Sequence, residues 1–306
     1  MSASGKDYSF VTRYIRKLRG GSQPILAQAN DGLFYVIKFN NNLQSANLPF
    51  NESIGSELLQ ACGLAVPSWK PFLATNEFLD QNQDCWIETP AGRLRPDSGL
   101  CFGSRFLGGE ATRLFEILPG NSFKRVRNLQ CFWRAWLIDI CAQHAANRKA
   151  IFLETVGGGL EAFFIDNGHL FGGPKGELRP HFLESRYLDP RIYQGVSSQY
   201  LLEIQKVAGS LDVDQLWRRT QALPEAWKTK SALDGFRRCL DKLSSPSLLL
   251  EILDRMSDVY QRANGFESTG IENRRKPPMG VLHPGVQAAG REPRLVANSL
   301  GHPACA

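Results

Sequence analysis

Apolar and polar positions near the start of the chain fall in the manner of strands. Tyr8 to Arg19 and Pro24 to Phe39 read as extended segments. Within the second, Asn30-Asp31-Gly32 makes a turn ahead of the β-rich run Leu33-Phe34-Tyr35-Val36-Ile37-Lys38-Phe39. An antiparallel sheet is therefore expected at the start. From Phe50 to Cys62 the period lengthens: Phe50, Ile54, Leu58 and Ala61 recur at helical spacing, Gly63 is a natural C-cap, and Val66-Pro67 resumes an extended chain. Between Trp69 and Pro119, glycines, prolines and short apolar runs predict further strands, followed by a connecting segment near Ser98 to Gly109.

After Pro119 the pattern changes. Val126 to Gln143 is apolar on most of its circumference, through Leu129, Phe132, Trp133, Trp136, Leu137, Ile138 and Ile140, as befits a helix at the centre of a core. A polar loop from His144 to Arg148 leads to Ala150-Ile151-Phe152-Leu153. A glycine turn at 157–159 follows, and then Ala162-Phe163-Phe164-Ile165, which ends at Asp166. Helices are expected over Ser197 to Ala208, Val213 to Ala222, and Ser231 to Asn264 with an interruption near Ser244-Ser245-Pro246. From Gly265 the sequence has no hydrophobic periodicity and reads as a flexible tail. The expected domains are a β-rich lobe over 1–105, a mainly helical lobe over 106–264 and the tail over 265–306.

Composition narrows the function classes. With 306 residues, 42% hydrophobic and 22% charged, the chain is in the range of soluble globular proteins, which excludes global disorder and a small disulfide scaffold. A formal charge of +6 favours an anionic ligand weakly, because the basic residues are scattered and form no stripe suited to nucleic acid. Seven cysteines without a CxxC pair are read as reduced thiols in a cytoplasm. The Met-Ser-Ala-Ser-Gly-Lys start lacks the apolar stretch of a secretory signal, and no window is long and apolar enough to span a bilayer. A cytoplasmic protein without a membrane partner is the expectation.

Four features could carry chemistry. Lys38 breaks an apolar strand, on the same face as Phe34 and Val36; it is either a solvated lysine or one that pairs with phosphate. Glu52, near the start of the next helix, could hold that lysine or could serve only the helix macrodipole. Gly20-Gly21-Ser22-Gln23 could present backbone N–H groups to phosphate oxygens, though glycine pairs at hairpin turns are common. Asp166 leaves the core at a strand end, where a carboxylate either starts a turn or holds a magnesium ion that bridges phosphates.

In this order the features resemble the HipA-like kinase domains, a bacterial family related in architecture to protein and phosphoinositide kinases. The matching parts are Gly20-Gly21-Ser22-Gln23-Pro24, Tyr35-Val36-Ile37-Lys38-Phe39, and Asn51-Glu52 heading a helix that ends Cys62-Gly63-Leu64-Ala65-Val66-Pro67. They continue with Asn147-Arg148-Lys149-Ala150-Ile151-Phe152, Phe164-Ile165-Asp166-Asn167-Gly168-His169, and Leu223-Pro224 with Trp227. Together they span about residues 10 to 260. The resemblance implies an α+β, two-lobed kinase-like fold: an N-terminal antiparallel sheet with one helix, and a mainly helical C-terminal lobe. It also implies ATP and Mg2+ as cofactors, with Lys38 on the phosphates, Glu52 positioning Lys38, and Asp166 on the metal.

The sequence departs from that family in the loop after the buried helix. Aligned through Arg148 and Phe152, the family's proton-accepting aspartate falls on Ala146 and a second metal-ligand Asn falls on Ile151, and neither residue can do that chemistry. His144 is the remaining candidate base, weighed against a merely solvated histidine. Asp139 is expected to pair with Arg134 or Arg148. His169 and His181 have no second ligand at metal spacing, and Trp133 and Trp136 read as core. Two functions follow: transfer of the γ-phosphoryl of ATP to a Ser or Thr hydroxyl of a protein substrate, or a degenerate member that works as a nucleotide-binding or regulatory module.

Overall fold

The computed structural model describes residues 8–41, 43–109, 112–118, 120, 122–173, 185–193 and 198–263. The expected tail, His181 and Cys305 fall outside them. Strand β1 (Ser9–Lys17) pairs antiparallel with β2 (Ile25–Ala29), and β2 with β3 (Phe34–Lys38). Helix α1 (Leu48–Ala61), strand β4 (Trp69–Ala74), a short α2 (Asn76–Gln81), the hairpin of β5 (Ile87–Thr89) and β6 (Gly92–Leu94), and strand β7 (Gly99–Arg105) follow.

Two expectations are corrected here. The opening sheet is a closed barrel of order β1-β2-β3-β7-β4, because β4 also pairs parallel with β1 at Ser9–Phe72 and Phe10–Leu73. The segment read as a connection is β7, which lies antiparallel between β3 and β4. Within β7, Gly103 holds a strand position where any Cβ would run into the Phe72 ring. Alternation sends Ile25, Ala27, Tyr35, Ile37, Phe72 and Cys101 into the barrel, all buried.

The second core lies under the remaining elements. Strands β8 (Leu114–Phe115), β9 (Lys149–Glu154) and β10 (Leu160–Ile165) form a sheet of order β10-β9-β8. Helix α3 (Cys131–Cys141) starts five residues later than the apolar pattern predicts. The cause is local: the Asn128 side chain donates to Ala162 O at 2.9 Å and accepts from Ala162 N at 2.9 Å, which fastens the preceding turn to β10. Helices α4 (Ser198–Gly209), α5 (Val213–Ala222), α6 (Lys230–Leu243) and α7 (Pro246–Ala263) follow. Pro246 makes the expected break, since proline is tolerated in a first helical turn and not within one.

Phe132, Trp133, Trp136, Phe152, Phe164 and Trp227 are buried in this core. The Trp133 indole donates to Tyr193 O at 3.0 Å, so a large apolar ring is buried without an orphaned donor. The architecture is mixed α/β. The six described cysteines are free thiols. Among the described residues no helix is long and apolar enough to cross a membrane.

Candidate functional site

Three elements distant in sequence bring charges together. Lys38 is the last residue of β3; its neighbours Tyr35 and Ile37 turn into the barrel, while Lys38 points out of it and is still only 6% exposed. Its ammonium donates to Glu52 Oε1 and, at 2.8 Å, to Asp166 Oδ1. Both side-chain readings that left Lys38 or Asp166 simply solvated or turn-forming are therefore too weak: the two meet. Burial alone would lower the Lys38 pKa, but Asp166 and Glu52 overcome that and raise it.

Glu52 lies in the second turn of α1, because the helix begins at Leu48, two residues before the expected start. Its carboxylate thus has no macrodipole task. Oε1 also accepts from Gly168 N at 2.9 Å and Oε2 from Asn167 N at 3.1 Å. Burial pushes its carboxyl upward, and Lys38 and the Asn167 N–H oppose this. A buried charge of this kind is tolerable only with partners on every oxygen.

The same helix is fastened to the turn after Asp166 by further bonds. Asn51 Nδ2 donates to Gly168 O at 3.0 Å and Leu170 O at 2.9 Å, and Asn167 Nδ2 donates to Ser56 Oγ at 3.1 Å. Gly55 permits this closeness: a Cβ there would sit 2.5 Å from Leu170 Cδ1 and 2.7 Å from Asn167 Cβ. Asn47, just before the helix, donates to Ser231 Oγ at 3.0 Å and accepts from the Thr229 hydroxyl at the start of α6. Glu57 is 3.6 Å from Arg219 of α5.

Asp166 adopts a left-handed conformation, φ 62°, which ends β10 and turns its carboxylate toward Lys38. Its Oδ2 accepts from Lys149 Nζ at 2.5 Å. Desolvation would raise its pKa, yet Lys38 and Lys149 hold it well below the usual carboxylate range. Lys149 was not singled out from sequence. The signal was available: Ala150 and Phe152 are core positions, so alternation puts Lys149 on the opposite face of β9. The hairpin register then sets it against Ile165, beside Asp166.

Arg148 supports the turn from below. Its guanidinium takes Asp139 in a bidentate pair, with Nε to Oδ2 at 2.9 Å, and gives Nη1 to Asn167 Oδ1 at 2.6 Å. Of the two partners expected for Asp139, the structure selects Arg148. Both groups are almost fully buried, so this is an internal brace and not a surface ion pair.

His144 is not the solvated histidine of the bland reading. It is 4% exposed, its Nδ1 is 3.9 Å from Asp139 Oδ1, and neither ring nitrogen has a hydrogen-bond partner among the described residues. Burial, with Arg148 and His169 beside it, pushes its pKa well below the ordinary value and keeps it neutral.

The glycine segment forms the β1–β2 turn, closed by Gln23 N to Gly20 O at 3.0 Å. Gly21 faces Gln44, whose Nε2 would lie 2.5 Å from a Cβ at that position and is 3.4 Å from His169 Nε2. The turn therefore reaches the neighbourhood of Asp166 through Gln44. Ser22 is buried. Gln23 faces elsewhere: its amide donates to Glu88 O at 2.7 Å and accepts from Glu88 N at 2.8 Å, which staples the turn to β5.

The donor set does not make a magnesium site of its own. Among the described residues no group of three or more His, Cys, Asp and Glu side chains could hold a metal. Both Glu52 oxygens and both polar ends of Asn167 are engaged, and Ile151 offers no donor. Asp166 is left as a single carboxylate, with an ammonium on each oxygen.

Solved kinase structures share similarity with this chain. A Helicobacter pylori proinflammatory kinase, CtkA, is 11% identical with a TM-score of 0.49, covering 79% of this chain and 95% of that one. The Golgi casein kinase is 13% identical with a TM-score of 0.44, covering 81% and 74%. The same kinase with Mn/ADP bound is 12% identical with a TM-score of 0.45, covering 87% and 75%. Likenesses this distant bear no weight for function. No family model matches the chain, and no curated protein matches it, so the HipA-like membership that the motifs imply has no family match beside it.

Proposed function

We propose that the protein is a kinase-like nucleotide-binding module that takes the phosphates of ATP at Lys38, with Glu52 and Asp166 holding that lysine in place. The observation that carries this is the burial of an ammonium and two carboxylates from β3, α1 and the end of β10 in one cluster. Such a cluster costs desolvation that well-packed apolar residues would avoid, so stability alone is a poor reason to keep it. An ammonium has three donors; Lys38 uses two on Glu52 and Asp166 and retains one for a phosphate oxygen. The glycine turn lies against Gln44, which reaches His169, three residues after Asp166.

Between the two functions expected from sequence, the binding module is favoured. The Ala146 side chain has no proton acceptor, and His144 is buried with its Nδ1 3.9 Å from Asp139 Oδ1. The test is a melting curve with and without ATP. At a ligand concentration of about 100 times Kd the native state gains about 2.7 kcal/mol, which raises Tm by roughly 4 °C for a chain of this size. Lys38→Ala is expected to lose the shift. Absence of any shift, or an undiminished shift in Lys38→Ala, would overturn the reading. Transfer of label from γ-labelled ATP, lost in both Lys38→Ala and Asp166→Ala, would replace the module with an active phosphotransferase.

A further inference from the structure

The hairpin of β9 and β10 puts a second lysine where a cation would be needed. Lys149 lies opposite Ile165 in the register, its ammonium 2.5 Å from Asp166 Oδ2, and its side chain is 55% exposed. Lys38, on the other oxygen at 2.8 Å, is 7% exposed. One lysine is thus locked within the cluster and the other stands at its open edge. Lys149 spends one N–H on Asp166 and has two left for an incoming anion. A magnesium ion bound at about 2.1 Å from Oδ2 would have to share that oxygen with the Lys149 ammonium, and the two cations would repel at close range. Among the described residues no further carboxylate beside Asp166 is free to offset that repulsion, because Glu52 is engaged on both oxygens and Ile151, the next outward position on β9, is apolar.

We propose that Lys149 takes the place of a divalent cation at the nucleotide phosphates, so that this site binds ATP without magnesium. The inference rests on the nucleotide reading above and extends it to the charge that neutralises the phosphates. Lys38 meets them from the buried side and Lys149 from the solvent side, with Asp166 fixing both amines.

Calorimetric titration of ATP into the full chain, once with excess EDTA and once with magnesium, tests it. Wild type is expected to bind under both conditions within about threefold. Lys149→Ala is expected to weaken binding about tenfold or more in EDTA, the loss of one charge-assisted contact. Magnesium then restores much of that loss, because Asp166 Oδ2 has been freed. Lys149→Arg, which keeps the charge, should stay near wild type. As Lys149 is exposed, unchanged melting of Lys149→Ala separates this from misfolding. Wild type that binds ATP only with magnesium would overturn the inference and leave the nucleotide reading standing, as would a Lys149→Ala variant that binds in EDTA like wild type. No binding under either condition would end the nucleotide reading and the inference with it.

Discussion

Glu52 is the residue on which the charge cluster turns, and its removal gives the sharpest test of the packing argument. In Glu52→Ala, Lys38 keeps Asp166 at 2.8 Å, so the ammonium is not wholly abandoned. The backbone N–H groups of Asn167 and Gly168 lose their acceptor inside the core. Each orphaned donor costs about 1–3 kcal/mol, and with the weakened lysine pairing the total comes to about 4 kcal/mol. That is a large share of the roughly 5–15 kcal/mol by which domains are stable. Glu52→Gln retains one carbonyl acceptor and should cost about half as much. Urea denaturation of both, together with Lys38→Met and the Lys38→Met/Glu52→Gln double variant, gives the coupling, expected at about 1–3 kcal/mol. A Glu52→Ala cost below about 1 kcal/mol, or no coupling in the cycle, would refute the picture of a buried and fully partnered carboxylate.

Three further outcomes follow from particular groups. His144 is held neutral in the folded state, so the unfolded chain binds the extra proton first; stability should fall as pH drops below about 6.5, by up to about 1.4 kcal/mol per unit, and His144→Leu should flatten that slope in Tm measured against pH. Gly55→Val should drive α1 away from Leu170 and Asn167, lowering Tm and abolishing the ATP-dependent shift together; retention of that shift would mean that the close approach does not position Glu52. Asp31 works against desolvation: Lys70, the Leu33 N–H and the Tyr35 hydroxyl hold its pKa down at about 2. Its folded pKa lies below the unfolded value, so its contribution is present above pH about 4 and is lost toward pH 2. Asp31→Asn should remove about 1 kcal/mol of stability at neutral pH and leave a shallower acid limb in denaturant midpoints.

Much of the architecture was legible because periodicity is a local property. The strands around Lys38, the hairpin ending at Asp166, and α5 over Val213–Ala222 follow from spacing alone. Barrel closure was not legible, since the parallel pairing of β1 with β4 is set by tertiary packing and leaves no mark on either strand. Strand β7 was not legible either, since the place of its Gly103 against the Phe72 ring exists only once β7 lies beside β4. Lys38 stood out as a charge that breaks an apolar strand, Glu52 as a carboxylate near the start of the next helix, and Asp166 as a carboxylate where a strand leaves the core. Lys149 did not, since a lysine at the first position of a strand is unremarkable until the register sets it beside Asp166. The burial of His144 was likewise hidden, because its loop is polar in sequence and only the tertiary fold takes the ring into the interior.

The moorings of α1 also decide where the molecule can give way. Asn51, Glu52 and Ser56 grip the chain between 167 and 170, Asn47 grips the head of α6, and Glu57 faces Arg219. Toward the barrel the helix has the Lys38 pair, one bond from the Trp69 indole to Glu57 at 3.1 Å, and apolar packing in a core that includes Phe102 of β7. By side-chain bonds α1 is thus held more to the turn after Asp166 and to α6 than to the barrel, so on the nucleotide reading proposed above any opening is expected at the Lys38 pair.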